Sequence, residues 1–292
     1  MRDTSIGTVI DSGTGGGAPK RLLPLDPATT DQGIVQRLAS SRDEIAAGRA
    51  TSSVVAAGLA MGSVAVGIAA LARDAFAQEG GSASALPGDV VDVLNFALTL
   101  EELEAEFYTR GVAAAGLLPA DTRDVFDQIR KHEVAHVAFL RQTLGSHAIA
   151  KPTFDFTAGG QFGDVFTNGQ TFAALAQAFE DTGVRAYKGQ AAVLIPRPAV
   201  LEAALKIHSV EARHAAEVRR LRRQKGWITG SSRGDLPAAT QGVYAGEANT
   251  FHFILAQPGH NGLGMSEAWD EPLTKGQVLD IVRPFVRGGG VS

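Results

Sequence analysis

The 292-residue chain is 45% apolar and 20% charged, a globular composition that excludes a chain disordered throughout. Its formal charge of −4 supplies no concentrated basic surface, so nucleic acid is not expected as a partner. With no cysteine, disulfides, thiolate metal sites and iron–sulfur clusters are excluded, and any metal must be held by nitrogen and oxygen.

In chain order, residues 1–53 read as a flexible N-terminal extension, with Gly13, Gly15, Gly16, Gly17, Pro19, Pro24 and Pro27 and no sustained apolar period. From Val54 to Ala72 the chain carries no charge and is almost entirely Ala, Val, Gly, Leu, Ile and Met. That stretch is just long enough to span a bilayer, although it is only weakly hydrophobic. Arg42 and Arg49 precede it, and Ala75-Phe76-Ala77 follows with the small-x-small pattern of a signal-peptidase site. The layout resembles an export signal of the twin-arginine (Tat) type, but Ser41-Arg42-Asp43 has one arginine where that signal has two. Segment 54–77 is therefore read in three ways: a cleaved signal, a retained anchor touching the membrane through 54–72, or a buried helix. The first two place the protein outside the cytoplasm of a bacterium, exported to the periplasm or beyond, or anchored facing the periplasm.

After a Gly/Ser/Ala linker, residues 87–225 carry four helical patterns. Asp89 is read as the N-cap of the first, over about 89–115, with Leu94, Leu98, Glu101, Ala105, Tyr108 and Val112 on one stripe. The second covers about 121–144, with Phe126, Ile129, Glu133, His136 and Leu140, and stops at Gly145. The third, about 170–195, aligns Leu175, Ala176, Glu180, Val184, Tyr187, Ala191 and Leu194. The fourth, about 198–225, starts on Pro198, aligns Leu201, Leu205, His208, Glu211, His214, Val218 and Leu221, and is bounded by Gly226. Residues 146–169 lack helical periodicity and have the length to travel the height of a bundle. The expected fold is all-α: two antiparallel hairpins joined by a long crossover between the second and third helices. Residues 226–292 read as an irregular tail wrapping the bundle, with one short helix over Lys275–Val286.

The chemistry sits on the apolar stripes. Glu133-Val134-Ala135-His136 and Glu211-Ala212-Arg213-His214 each set a carboxylate and an imidazole three residues apart, on one helix face. The two hairpins repeat this pattern. Glu101 is followed by Tyr108 at +7, Glu133 at +32 and His136 at +35; Glu180 is followed by Tyr187 at +7, Glu211 at +31 and His214 at +34. Four carboxylates in a dry core would be costly unless neutralised, and two divalent cations cancel their charge while the imidazoles bind as neutral bases. Nitrogen and carboxylate donors suit iron or manganese. Glu104 competes with Glu101 on the same face, but its counterpart in the second hairpin is Gly183, so the repeat selects Glu101. Tyr108 and Tyr187 are either hydrogen-bond donors to the carboxylates or interior aromatics. His208 is read as a core histidine, His132 as facing away from the cluster, and Arg219, Arg220, Arg222 and Arg223 as a solvated helix end.

This pattern resembles the ferritin-like di-metal carboxylate proteins: ferritin, bacterioferritin and rubrerythrin. The phrase Leu94–Tyr108 and the tail phrase Asp270-Glu271-Pro272-Leu273-Thr274 further resemble a bacterial family of exported ferritin-like domain proteins, similar in turn to plant desiccation-related proteins. The resemblance implies that Glu133 and Glu211 bridge two metal ions, iron foremost and manganese second. It implies that Glu101 with His136, and Glu180 with His214, each complete one metal position. The implied activity is that of an oxidoreductase of ferroxidase or peroxidase type: Fe(II) oxidation, or reduction of dioxygen or peroxide, in iron handling or oxidative-stress protection. A homo-oligomer or larger assembly is also expected. The alternative is a non-catalytic scaffold or membrane-tethered subunit in which metal only stabilises the bundle.

Overall fold

In the computed structural model, residues 86–250 and 266–287 are described. The N-terminal extension, the 54–77 segment and part of the tail, 251–265, lie outside the described residues. Four long helices dominate: α1 (Gly88–Ala113), α2 (Ala120–Leu144), α3 (Gly169–Leu194) and α4 (Pro198–Leu221). α1 packs on α2 and α3 on α4, and the two hairpins meet chiefly through α1 and α3. The architecture is the all-α bundle of two hairpins and a long crossover that the periodicity predicts.

Helix ends follow local chemistry. α1 begins one residue before Asp89, after Pro87, and the Asp89 carboxylate accepts from the Val90 N–H. α2 stops at Gly145, whose φ of 56° lies in the left-handed region glycine tolerates. Asn168 caps α3 by accepting from the N–H groups of Gln170 and Thr171, and Pro198 occupies the first turn of α4. α4 ends at Leu221, four residues short of the expected 225. Arg223 takes a φ of 59°, and the Gln224 N–H donates back to the Arg219 carbonyl at 2.9 Å, closing the helix before Gly226.

The crossover contributes to the core. Phe154, Phe156 and Phe162 are buried, and Phe156 and Phe172 both pack on Phe107 of α1, the latter stacked at 4.6 Å. Each aromatic buried in this way contributes roughly 1.5–3 kcal/mol. Thr153–Phe154 (β1) also pairs antiparallel with Val286–Arg287 (β2) near the C-terminus.

The described part of the tail covers the outer face of α3. The short helix α5 spans Lys275–Val282 and not Lys275–Val286 as expected. Pro284, which lacks an N–H for the helical ladder, falls in the Arg283–Phe285 single turn that succeeds it. Gly189 of α3 admits the tail closely, since a Cβ there would lie 1.9 Å from the Leu273 carbonyl oxygen. No helix among the described residues is long and apolar enough to cross a membrane.

Candidate metal centre

Each helix sends carboxylates inward. Glu101 from α1, Glu133 from α2, Glu180 from α3 and Glu211 from α4 are all wholly buried, with His214 buried and His136 nearly so. The helical period explains the convergence, because each residue shares a stripe with the apolar side chains that face the neighbouring helices. Two overlapping groups result. Glu101, Glu133, His136 and Glu211 offer one donor atom each within 4.8 Å of one another, and so do Glu133, Glu180, Glu211 and His214. Glu133 and Glu211 are common to both.

The contacts within the cluster are close. His136 Nδ1 lies 3.1 Å from Glu101 Oε2, 3.0 Å from Glu133 Oε2 and 3.4 Å from Glu211 Oε1. His214 Nδ1 lies 2.8 Å from Glu133 Oε1 and 3.2 Å from Glu180 Oε2. Burial raises the Glu101 carboxyl to about 7 against the pull of His136, and holds Glu211, ringed by carboxylates, well above its ordinary range. Burial would lower both histidines, but Glu101 and Glu133 lift His136 to about 10, and Glu180 and Glu133 lift His214 to about 10. Glu133, although buried, is held below the usual carboxylate range by hydrogen bonds from the two histidines.

The tyrosines are donors, and they cross between hairpins. Tyr108 Oη donates to Glu180 Oε1 and Tyr187 Oη to Glu101 Oε1. Seven residues is about two helical turns, so each phenol is too far along its own helix to reach its own glutamate and meets the partner hairpin's.

His132 differs from the sequence reading. It does not face away: its ring stacks on His214 at 5.1 Å, with Nδ1 2.8 Å from His214 Nε2 and Nε2 2.7 Å from the Gln128 amide. The signal was available, because His132 lies four residues before His136, on the same face. Its counterpart in the second hairpin is Val210, so the repeat gave no prompt. Glu104 belongs to neither donor group, yet it is 3% exposed and faces the interior beside the cluster. Across from it, a Cβ on Gly183 would come within 2.7 Å of Glu211 Oε2 and 3.5 Å of Glu104 Oε1. The absent side chain at Gly183 is what leaves room for both carboxylates. His208 is half-buried and outside both groups.

The arginine run is also corrected. Arg219 is buried and pairs with Asp181, and Arg222 bonds both Gln177 and Asp235, while Arg220 alone of these three is exposed, paired with Glu217. Asp181 and Gln177 of the facing α3, with Asp235 from the start of the tail, supply the partners that a local reading lacks.

The cluster fits divalent metal. Both oxygens of Glu211 are buried without a hydrogen-bond partner, while Glu133 Oε1, Glu180 Oε2 and His214 Nδ1 are paired with one another through close ion contacts and point into the same small volume. Such orphaned atoms are costly in an apolar core and are the natural donors to a cation. Four carboxylates and two imidazoles are hard and borderline donors that suit iron or manganese.

A bundle of two hairpins enclosing a shared carboxylate–imidazole cluster defines the ferritin-like class of domain. Residues 89–224 match the family model of the ferritin-like domain, and this part of the chain is a ferritin-like domain. Comparison with curated proteins finds no match.

Proposed function

We propose that the bundle holds two metal ions, iron foremost, and acts as an oxidoreductase that oxidises Fe(II) with dioxygen or peroxide. The observation that carries this reading is the sharing of Glu133 and Glu211 by two four-donor groups. Two Fe(II) ions supply two electrons, enough with two protons to reduce dioxygen to hydrogen peroxide or hydrogen peroxide to water.

The protein's part is positional and electrostatic. Glu133 and Glu211, common to both donor groups, would be shared between the two ions, and Glu101 with His136 and Glu180 with His214 would complete the two positions. His132 accepts from or donates to His214 Nε2 and so fixes which ring nitrogen faces the cluster. Tyr108 and Tyr187 each hold a proton against one carboxylate oxygen, leaving the other oxygen of Glu180 and Glu101 directed inward. Phe107, Phe126 and Phe172 pack around Tyr108 and exclude water from that side.

Oxygen consumption on adding Fe(II) to the full chain tests the reading. Turnover is expected in wild type and its loss in Glu211→Gln with helix content preserved. Two metals bound with no oxygen or peroxide consumed would instead support a scaffold stabilised by metal.

A further inference from the structure

A narrow apolar cleft opens at the end of the bundle where α1 and α4 begin and α2 and α3 finish. All four helices line it, through Ala97 and Leu100, Leu140, Tyr187, and Ala204 and Ile207 among others. With its open mouth it measures about 560 Å³, but only a small part of that admits a molecule as large as water. Thr143 and Gln190 are the polar side chains of the lining besides Tyr187; both are half-exposed, and the Thr143 hydroxyl is already committed to the Phe139 carbonyl.

The inner end of the cleft lies against the cluster. Leu100 adjoins Glu101 in sequence, while Leu140 is four residues beyond His136 and Ile207 four before Glu211, one helical turn in these two cases. The Tyr187 ring lines the wall while its hydroxyl donates to Glu101. The opposite end of the centre is closed by the buried rings of Phe107, Tyr108, Phe126 and Phe172. On another side the cluster nears the surface between α2 and α4, where His136 retains 12% exposure and His132 is half-exposed.

We propose that this cleft is the holding site and route for dioxygen to the centre. The inference rests on the oxidoreductase reading and refines it by choosing the oxidant. An apolar space that offers water no partners stays dry and takes small apolar guests. Dioxygen enters it without losing a hydrogen bond, whereas hydrogen peroxide and hydrated cations would be stripped of theirs. Size points the same way, because the passage is too narrow for a larger apolar substrate.

Xenon, an apolar atom of similar bulk, tests the cleft in metal-free full-length protein by xenon-pressurised crystallography or ¹²⁹Xe NMR. Xenon is expected beside Leu100 and Tyr187, and is expected to be absent in Ala204→Phe, which narrows the mouth from a half-buried position away from the cluster. Ala97→Leu serves as a second closure should Ala204→Phe lose helix content. The Fe(II)-loaded closed variant should then react with dioxygen at least about tenfold more slowly, a barrier increase of about 1.4 kcal/mol, while taking up the same amount of Fe(II). Its reaction with hydrogen peroxide should be unchanged. Failure of the oxidoreductase reading itself appears separately, as absent Fe(II) uptake or oxidant consumption in wild type. The dioxygen route is overturned if wild type consumes oxygen but leaves the cleft empty of xenon. It is equally overturned if closure expels xenon without slowing the dioxygen reaction.

Discussion

At the scale of single residues, the cluster crowds buried carboxylates together, and only some of them gain a histidine partner. Glu211 shows this best: Glu133, Glu101, Glu104 and Glu180 all raise its pKa, and neither of its oxygens has a hydrogen-bond partner. Its surroundings thus favour the uncharged form, which an amide mimics. Glu211→Gln should leave metal-free stability within about 1 kcal/mol of wild type while removing a donor from both groups. Denaturant melts with and without metal check this: the metal-induced shift should shrink while the metal-free midpoint holds. Gly183→Ala makes a converse prediction. Its Cβ would press Glu211 Oε2 at 2.7 Å, so the variant should lose about 1–3 kcal/mol and bind metal more weakly. Unchanged metal affinity in that variant would show that Glu211 has room to move. The six donors were legible from sequence because the repeated Glu, Tyr and Glu-x-x-His offsets put them on stripes. His132 was legible in principle by its spacing from His136. The room that Gly183 provides was not, since a missing side chain has meaning only once the facing helix is in place.

At the scale of elements, α3 carries the most constrained role, because it is packed on both sides. Inward it gives Glu180 and Tyr187; outward it anchors the tail through Asp181, Arg185 and Lys188. Arg185 is fully buried, donates to the carbonyls of Glu271, Val243 and Ala245, and pairs with Glu247 at 2.8 Å. Asp181 adds a second attachment, accepting from Tyr244 at 2.7 Å and pairing with Arg219. Removing the guanidinium takes the ion pair from Glu247, leaving it the Glu271 N–H, and takes a donor from three carbonyls. Arg185→Met should cost about 3–5 kcal/mol and open the segment after Trp227 to proteolysis before the bundle itself unfolds. Resistance equal to wild type would mean that the tail is held by its apolar residues alone. Helix existence was readable from periodicity, and helix ends from Gly145 and Pro198. The crossover's aromatics, the end of α4 at Arg223 and the partners of Arg219 were not, because each depends on contacts far apart in sequence.

At the scale of the molecule, two apolar clusters flank the centre along the bundle, one rich in phenylalanine around Phe107 and one around Leu98 and Leu140. The buried cluster between them carries shifted pKa values, so stability must depend on pH. Glu101, raised from 4.5 to about 7, contributes stability that is complete below about 4.5 and lost as pH rises through 7. His136 and His214, raised from 6.5 to about 10, contribute stability that is complete below about 6.5 and lost as pH rises toward 10. Glu133 acts oppositely, but only in acid, below the ordinary carboxylate range. The Tm of metal-free protein should therefore fall from about pH 5.5 to about pH 8.5. Metal binding takes neutral imidazole and ionised carboxylate, so it should release protons and tighten as pH rises. The Tm difference between loaded and metal-free protein should widen over the same interval; a constant difference would mean that metal does not displace these protons. The export or anchoring role expected for segment 54–77 belongs to a part of the chain outside the described residues, and N-terminal sequencing of the mature protein tests it.

The central claim is that Glu133 and Glu211 are shared between two metal positions. Anaerobic titration of the metal-free full chain with Fe(II), followed by calorimetry and elemental analysis, tests it most directly. Two ions per chain are expected, with proton release, falling below two in Glu211→Gln. Uptake of one ion or none by wild type, or uptake that Glu211→Gln leaves unchanged, would contradict it.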